Sequence, residues 1–120
     1  MKYTWLDEYC RSKKGVVKEF KIEWNATRYM IMDKMFVLQG GDKEGKPLIT
    51  VKLEPAFGEF LRQQYKDIIP GYYMNKIHWN SLYVEGDVPD DIVRDMLDKS
   101  YNLVLASLSK KHQLEVLEDK

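Results

Sequence analysis

The sequence contains little of what most enzymatic and metal-binding sites are built from. Its 120 residues include one cysteine, Cys10, and two histidines, His78 and His112. A single thiol excludes an internal disulfide and a cysteine-based zinc site, and this usage is typical of a reducing compartment. Two histidines are too few for most histidine-based metal sites unless carboxylates complete them. We therefore expect neither a bound metal nor a cofactor.

Long apolar runs and an excess of charge are also missing. No uninterrupted apolar stretch approaches the ~20 residues of a membrane-spanning helix, and residues 1–8 contain no apolar core of signal-peptide length. The net charge is +0 and the pI is ≈ 6.7, whereas a domain held mainly by phosphate backbones tends to have a pI above ~9. We expect a soluble, cytoplasmic protein without membrane contact. Any nucleic-acid binding would need a local basic patch.

Catalytic motifs are not recognisable. The glycine-containing segment 40–45 lacks the Gly-Lys-Ser/Thr ending of a phosphate-binding loop, and a strand is expected after it. Cys10 and His78 could in principle pair as nucleophile and base, but Cys10 shares the apolar side of the first predicted helix, where an inert buried thiol is expected. The acidic residues of 87–98 lack the spacing of a calcium-binding loop. We therefore predict that the protein is not an enzyme.

What is present suffices for one hydrophobic core. Hydrophobic residues make up 44% of the chain and charged residues 32%, a composition unlike that of disordered polymers. A chain of this length suits a single domain. We predict one domain over residues 1–120, with 112–120 as a frayed or loosely helical tail.

Hydrophobic periodicity predicts helices and strands in alternation. The predicted helices are 4–14, which Thr4 begins and Gly15 ends, a second from Pro55, and a third from Pro89 with an apolar stripe to Leu108. The predicted strands or extended segments are 20–24, 27–32, 35–39, 48–53, 72–74 and 79–85.

The connections predict how these elements are arranged. Asp33 and Lys34 form a tight turn between two strands, and residues 40–47 form a flexible polar tip. We predict an α+β fold of two layers in the order α-β-β-β-α-β-β-α. Helices would cover one face of a mainly antiparallel sheet.

Segment 70–80 has the richest binding chemistry in the chain. It contains two tyrosines, a tryptophan, a lysine, a histidine and two asparagines between turn residues. Aromatic rings can stack on bases, Lys and His⁺ can contact phosphate, and Asn can bond base edges. A structural interpretation stays open, in which Trp79 anchors the core and Asn75 bonds the local backbone to hold a turn.

The methionines allow two interpretations. Flexible thioether side chains adapt to varied partners, and they also fill gaps in cores. Met30, Met32, Met35, Met74 and Met96 are therefore either a partner groove or core residues, and core filling is the expectation.

Several motifs together resemble the MmcQ/YjbR family. Segment 70–79 reads PGYYMNKIHW, 88–91 reads VPDD and 100–104 reads SYNLV, in the order and spacing typical of the family. Segments 34–36 and 51–55 resemble its hairpin strand and its strand-to-helix junction. Across residues 28–108, the resemblance implies a fold like that of secretion chaperones and a DNA-binding protein with a double-wing arrangement.

This resemblance supports a DNA-binding hypothesis with named contacts. Cationic residues would meet phosphates, Asn75 and Tyr73 would touch base or sugar, and the 40–47 tip would act as a wing. The predicted contact residues are Lys52, Tyr73, Asn75, Lys76, His78, Lys110 and Lys111.

An alternative hypothesis is a protein-binding or chaperone-like module without nucleic-acid affinity. A flat sheet face or a methionine-rich surface would hold a polypeptide segment, or the chain would form a homodimer. A small-molecule pocket around Tyr72, His78 and Trp79 is a third option, which no paired acid and base supports.

Overall fold

The computed structural model describes residues 2–72 and 74–118, which form four α-helices and six β-strands. The helices are α1 (Leu6–Arg11), α2 (Pro55–Gln64), α3 (Asp90–Ala106) and α4 (Lys110–Leu117). The strands are β1 (Val16–Lys21), β2 (Ala26–Ile31), β3 (Lys34–Gly41), β4 (Pro47–Lys52), β5 (Ile68–Pro70) and β6 (Trp79–Tyr83), and a 3₁₀ turn, Ile22–Trp24, follows β1.

The strands form one sheet in the order β1-β2-β3-β4-β6-β5, and each neighbouring pair is antiparallel. The predicted α+β class is therefore confirmed. The described chain has one strand more before α2, and one helix more at its end, than the predicted order.

Side chains on one face of the sheet form the core with the helices. Tyr29, Val37 and Val51 are neighbours across β2, β3 and β4, so their side chains share a face. They belong to one buried cluster with residues of α1, α2 and α3. Ser100 of α3 fixes the layers, because its hydroxyl donates to the Phe36 carbonyl at 2.6 Å and accepts from the Lys52 amide at 2.8 Å.

The opposite face of the sheet, which we call the open face, points away from the helices. Leu38 lies opposite Thr50, and Thr50 lies opposite Ser81, so these three side chains share that face. Within the part of the chain that the structure describes, no helix combines the length and apolarity needed to cross a membrane.

The first helix is shorter than predicted. It spans Leu6–Arg11, and Trp5 occupies its N-cap position without a side-chain hydrogen bond, so the Thr4 cap was wrong. Gly15 does adopt a positive φ of 74°. The chain reaches it through turn residues instead of a continuous helix.

The first strand lies earlier than the alternating residues predicted. Phe20, Ile22 and Trp24 are all exposed, so their alternation does not mark a buried face. The backbone is extended over Val16–Lys21 and then coils into the 3₁₀ turn, which ends at Asn25 with a φ of 48°. The hairpin turn between β2 and β3 is also displaced, by one residue, to positions 32–33.

The tail and one strand differ in detail from their predictions. Of the two states predicted for the tail, frayed or loosely helical, the structure has a helix, α4, at residues 110–117, and the Ser109 side chain caps it by accepting from the His112 amide at 3.2 Å. Buried Val116 packs on Gly15. The strand expected at 72–74 is found at Ile68–Pro70, and Tyr73 lies outside the described residues.

Candidate binding groove on the open face of the sheet

A groove of ≈ 840 Å³ lies on the open face. Its floor consists of side chains from β2, β3 and β4, one wall follows β1, and the other wall is the loop between β5 and β6. The described residues that line it are Trp24, Asn25, Ala26, Met35, Leu38, Gly40, Gly41, Asp42, Gly45, Pro47, Leu48, Thr50, Tyr72 and Met74.

The floor of the groove is closely packed. Ala26, Leu48 and Thr50 are buried although they belong to the open face. At Gly40, an added Cβ would meet the Ala26 side chain at 3.2 Å. A larger residue there would fill the floor.

Segment 70–79 builds the second wall, starting from Gly71. The Gly71 amide donates to the Trp79 carbonyl at 2.7 Å, and a Cβ on Gly71 would lie 2.8 Å from the Trp79 Cβ. Glycine is therefore needed for this close approach. The next amide, of Tyr72, donates to the Ser81 hydroxyl at 3.1 Å, and that hydroxyl is 2.7 Å from the Thr50 hydroxyl on the floor.

The tip of the β3–β4 hairpin closes one end of the groove, and Asp42 holds it in place. Its Oδ1 accepts from the Glu44 and Lys46 amides at 2.8 and 3.0 Å, and its Oδ2 accepts from the Tyr83 hydroxyl at 3.1 Å. The Lys43 amide donates to the Tyr72 hydroxyl at 3.1 Å, which ties the tip to the second wall. The tip that was expected to be flexible is thus held by the Asp42 carboxylate and by the hydroxyls of Tyr72 and Tyr83.

Asp42 is an anion at neutral pH. Desolvation would raise its pKa, but the hydrogen bonds from the Lys46 and Glu44 amides and from Tyr83 outweigh that effect and lower the pKa. Among the described lining residues, Asp42 is the one that carries a charge.

Two of the predicted DNA contacts hold the loop itself. The Asn75 Oδ1 accepts from the Ile77 amide at 2.8 Å and from the His78 amide at 3.3 Å, which is the local turn expected in the structural interpretation. The Lys76 ammonium donates to the Gly71 carbonyl at 2.7 Å. Both side chains therefore stabilise the wall from within.

The other predicted contacts lie in three places. Lys52 lies opposite Trp79, and the Leu53 amide donates to the His78 carbonyl at 2.7 Å, so Lys52 and His78 meet at one end of the sheet. Lys110 and Lys111 are exposed in the first turn of α4. No hydrogen bond or ion pair that the structure describes joins these two lysines to the 70–80 loop, and Tyr73 is outside the described residues.

The expectation that the methionines fill the core is wrong for all but one of them. Met96 is fully buried in the core. Met35 and Met74 line the groove, Met30 is half-buried on the open face, and Met32 is exposed. The position of Met35 and Met74 agrees with the alternative interpretation, in which binding of a partner stays a prediction.

Cys10 is buried among core residues of α1. Burial raises the pKa of its thiol to about 12, so the thiolate needed for nucleophilic attack is scarce at neutral pH. Among the described residues, no group of three or more His, Cys, Asp and Glu side chains is arranged to hold a metal ion.

A second, more polar cleft lies near α1 and β1 and is organised by Asp7. Its carboxylate accepts from the Tyr29 hydroxyl at 2.8 Å and lies 2.8 Å from the Lys18 ammonium. Hydrogen bonds from Lys18 and Tyr29 lower the pKa of Asp7 to about 2. The carboxylate therefore ties α1 to β1 and β2.

Comparison with known proteins identifies relatives along most of the chain. The YjbR family model matches residues 11–103. The chain is 33% identical over 96 residues to the uncharacterized protein YjbR of Escherichia coli (strain K12), covering 80% of each chain. It is 36% identical over 88 residues to the uncharacterized protein YbdF of Escherichia coli O157:H7, covering 73% of this chain and 71% of the relative.

Solved structures share the fold. The crystal structure of a Deinococcus radiodurans protein matches with a TM-score of 0.81 and 27% identity, covering 92% of this chain and 84% of that one. A Pseudomonas syringae protein matches with a TM-score of 0.73 and 21% identity, covering 86% of this chain and 98% of that one. This second likeness shows the fold alone.

Proposed function

We propose the function of this chain from the groove. The chain belongs to the YjbR family, and the names of its two E. coli relatives state no activity. The protein is a non-catalytic module that holds an extended segment of another polypeptide on the open face of its sheet. The observation that carries this proposal is the lining, in which apolar, aromatic and methionine side chains predominate and the single carboxylate lies at one end.

The lining favours bulky apolar side chains of a partner. Leu38, Met35 and Met74 offer apolar contacts on the floor and wall, and Trp24 and Tyr72 add aromatic surface. Methionine adapts its shape to different side chains, and aromatic rings bury large areas at little cost in side-chain entropy. Such a surface suits a partner segment whose apolar residues vary.

A small polar ligand and a phosphate backbone both fit this groove less well. The Asp42 oxygens already accept three hydrogen bonds, from Tyr83 and from the hairpin tip, which leaves about one of the four acceptor sites of a carboxylate to orient a polar ligand. A phosphate would meet this anion, and the described lining residues supply no cation to offset it.

The test is selection of peptides from a random display library against the wild-type protein. Selected peptides are then labelled, and their binding to three proteins is followed by fluorescence anisotropy. The variant Leu38→Lys places a charge on the groove floor. Its matched control, Val17→Lys, places the same charge on an exposed apolar residue of the same face that does not line the groove.

We expect selected peptides to share bulky apolar residues and to lose at least about ten-fold in affinity for Leu38→Lys, because the lysine would be desolvated against apolar groups. Val17→Lys should bind as the wild type does. Methyl resonances of Met35 and Met74 should shift on binding. A library that yields no binder, or peptides indifferent to Leu38→Lys, would refute the proposal.

DNA binding is a second candidate, and the position of two lysines and a histidine favours it. Lys52 and His78 meet at one end of the sheet, and Lys76 belongs to the same loop as His78. This end of the sheet lies beside the groove, so a duplex there would contact a different surface from the proposed peptide.

Anisotropy of a short labelled duplex at low and physiological salt tests this second candidate. Binding should be micromolar or tighter and should weaken with salt, because each lysine–phosphate contact releases counterions. Lys52→Ala should lower the salt dependence by about one unit, and Lys111→Ala tests whether α4 extends the surface. Absence of binding at low salt by a folded sample would exclude it.

A further inference from the structure

Exposed apolar side chains concentrate around β1. Val17 is 63% exposed and Phe20 is 56% exposed, although both belong to a strand. Ile22 and Trp24 follow in the 3₁₀ turn and are also exposed. Val17 lies opposite Met30 on the open face, whereas Phe20 lies opposite Thr27 on the helix side, so this apolar surface flanks the edge on both faces. Exposed apolar surface beside a strand edge is a mark of an interaction site.

The backbone of β1 adds a second reason. The strand pairs with β2 on one side and forms the edge of the sheet on the other. It is six residues long and contains no proline. An edge of this kind is a template for pairing with another strand.

We propose that β1 pairs in antiparallel fashion with β1 of a second copy of this chain, about a two-fold axis that passes through Phe20 perpendicular to the sheet. The two sheets then form one continuous sheet with both open faces on the same side. A second copy of β1 is the strand that fits this edge, because Glu19 of one copy then lies opposite Lys21 of the other.

Charge selects the register. A two-fold axis perpendicular to the sheet keeps each face on its own side, so the axis passes through a residue that lies opposite its own copy. An axis at Lys18 or at Glu19 opposes like charges, which destabilise a sheet when directly opposite. An axis at Phe20 sets Glu19 opposite Lys21 twice and places the two Phe20 rings together.

A register centred on Val17 also avoids like charges, and it pairs three strand residues of each copy (16–18), as the axis at Phe20 does (19–21). Glu19 would then lie opposite Gly15, and Phe20 would be left beyond the paired residues. The axis at Phe20 therefore combines charge pairing with burial of an exposed aromatic ring. In that register Val17 falls outside the paired segment, which makes it a control on the same strand.

The first experiment is cysteine cross-linking across the proposed axis. With the axis at Phe20, the two copies of residue 20 have Cα atoms about 5 Å apart, within the range that a disulfide bridges. The two copies of residue 17 are about 20 Å apart, since they are displaced by six strand residues. The native Cys10 is buried, so we expect it to contribute little cross-linking of its own.

We expect Phe20→Cys to form a disulfide-linked dimer under mild oxidation, whereas Val17→Cys stays monomeric. Circular dichroism of the reduced variants checks that both fold. Cross-linking that is strongest at residue 17, or equal at both positions, would overturn the register.

Sedimentation velocity tests the association itself without a cross-link. The wild type should approach twice its mass of 14.2 kDa as concentration rises. Phe20→Lys should raise the dimer dissociation constant by at least about ten-fold, and Val17→Lys should change it by less than about two-fold. A wild type that stays monomeric up to millimolar concentration would overturn the proposal.

Discussion

The two edges of the sheet are built in opposite ways. The edge strand β5 has three residues, ends at Pro70 and buries Ile68. Proline cannot donate to a ladder, and short edges offer little to an incoming strand. The edge strand β1 has six residues, most of them exposed, and no proline. One edge is therefore closed to further pairing and the other is left open.

The difference bears on both walls of the groove. The closed edge continues into Gly71 and the loop that forms one wall of the groove, so pairing there would disturb the site. The open edge leads through the 3₁₀ turn to Trp24, which lines the other wall, whereas the residues of β1 itself do not line the groove. Each edge can be tested by its own substitutions.

The largest effect is expected at the closed edge, from Gly71→Ala. The new Cβ would lie 2.8 Å from the Trp79 Cβ and 2.9 Å from its carbonyl oxygen, so backbone must move. We expect a loss of about 3 kcal/mol in the free energy of unfolding, measured by urea denaturation. In the control Gly45→Ala the Cβ meets open space, and only its positive φ should cost about 1 kcal/mol. Equal losses would contradict the close-approach explanation.

At the open edge, Asp7→Ala should have the next largest effect. It removes the acceptor of the buried Tyr29 hydroxyl and the partner of Lys18 on β1. An unsatisfied buried hydroxyl costs about 1–3 kcal/mol, and we expect about 2 kcal/mol in urea denaturation. Asp33→Ala, in an exposed turn, should change stability by less than about 0.5 kcal/mol. A similar loss in both would show that Asp7 does not anchor β1.

Lowering the pH should reduce the stabilisation by Asp7 by a smaller amount than the Asp7→Ala substitution does. The pKa of Asp7 is lowered to about 2 from 3.8, so its contribution is present above pH ~4 and is lost as the pH falls toward ~2. Because the carboxylate is partly exposed, we expect about 1 kcal/mol after screening. Asp7→Asn should lose less stability than the wild type over this range of pH. Parallel stability curves for the two proteins would contradict the assignment.

The smallest effect is expected beside the open edge, from Met32→Gly. Met32 is exposed and holds a φ of 49° in the β2–β3 turn, a conformation that glycine adopts without steric cost. We expect a gain of about 0.5 kcal/mol in thermal or urea unfolding. Met30→Gly, within β2, should instead lose about 1 kcal/mol. A loss at both positions would show that the turn is not strained.

Helices were predicted correctly where a segment has one apolar face and a proline marks its start. Pro55 begins α2, and the apolar stripe from Ile92 onward belongs to α3 as expected. The helix α4 was predicted only as a frayed or loosely helical tail because Val116 is its one buried residue while Leu114 and Leu117 are exposed. The start of β1 was missed because its residues are exposed on both faces, so no alternation marks it.

The groove was not predicted because its parts come from distant segments. Trp24, Leu38, Leu48 and Tyr72 meet only after the sheet has formed. The sequence signal in β4 was weak. A strand buried on both faces reads as a continuous apolar run, but residues 48–51 read Leu-Ile-Thr-Val, and Thr50 interrupts the run although the structure buries all four residues. The motif 70–79 was singled out for its binding chemistry, which stays a prediction, and in the structure Asn75 and Lys76 bond the loop backbone.

The bond from the Lys43 amide to the Tyr72 hydroxyl crosses from the hairpin tip to the opposite wall. Its proton exchanges with solvent only when wall and tip separate, since an amide must lose its acceptor before it exchanges. The rate of deuterium uptake at this one amide therefore reports how often the wall and the tip separate. A bound partner would lower that rate. The Gly45 amide is bonded within the tip at 3.0 Å, so comparing the two exchange rates would separate wall motion from fraying of the hairpin.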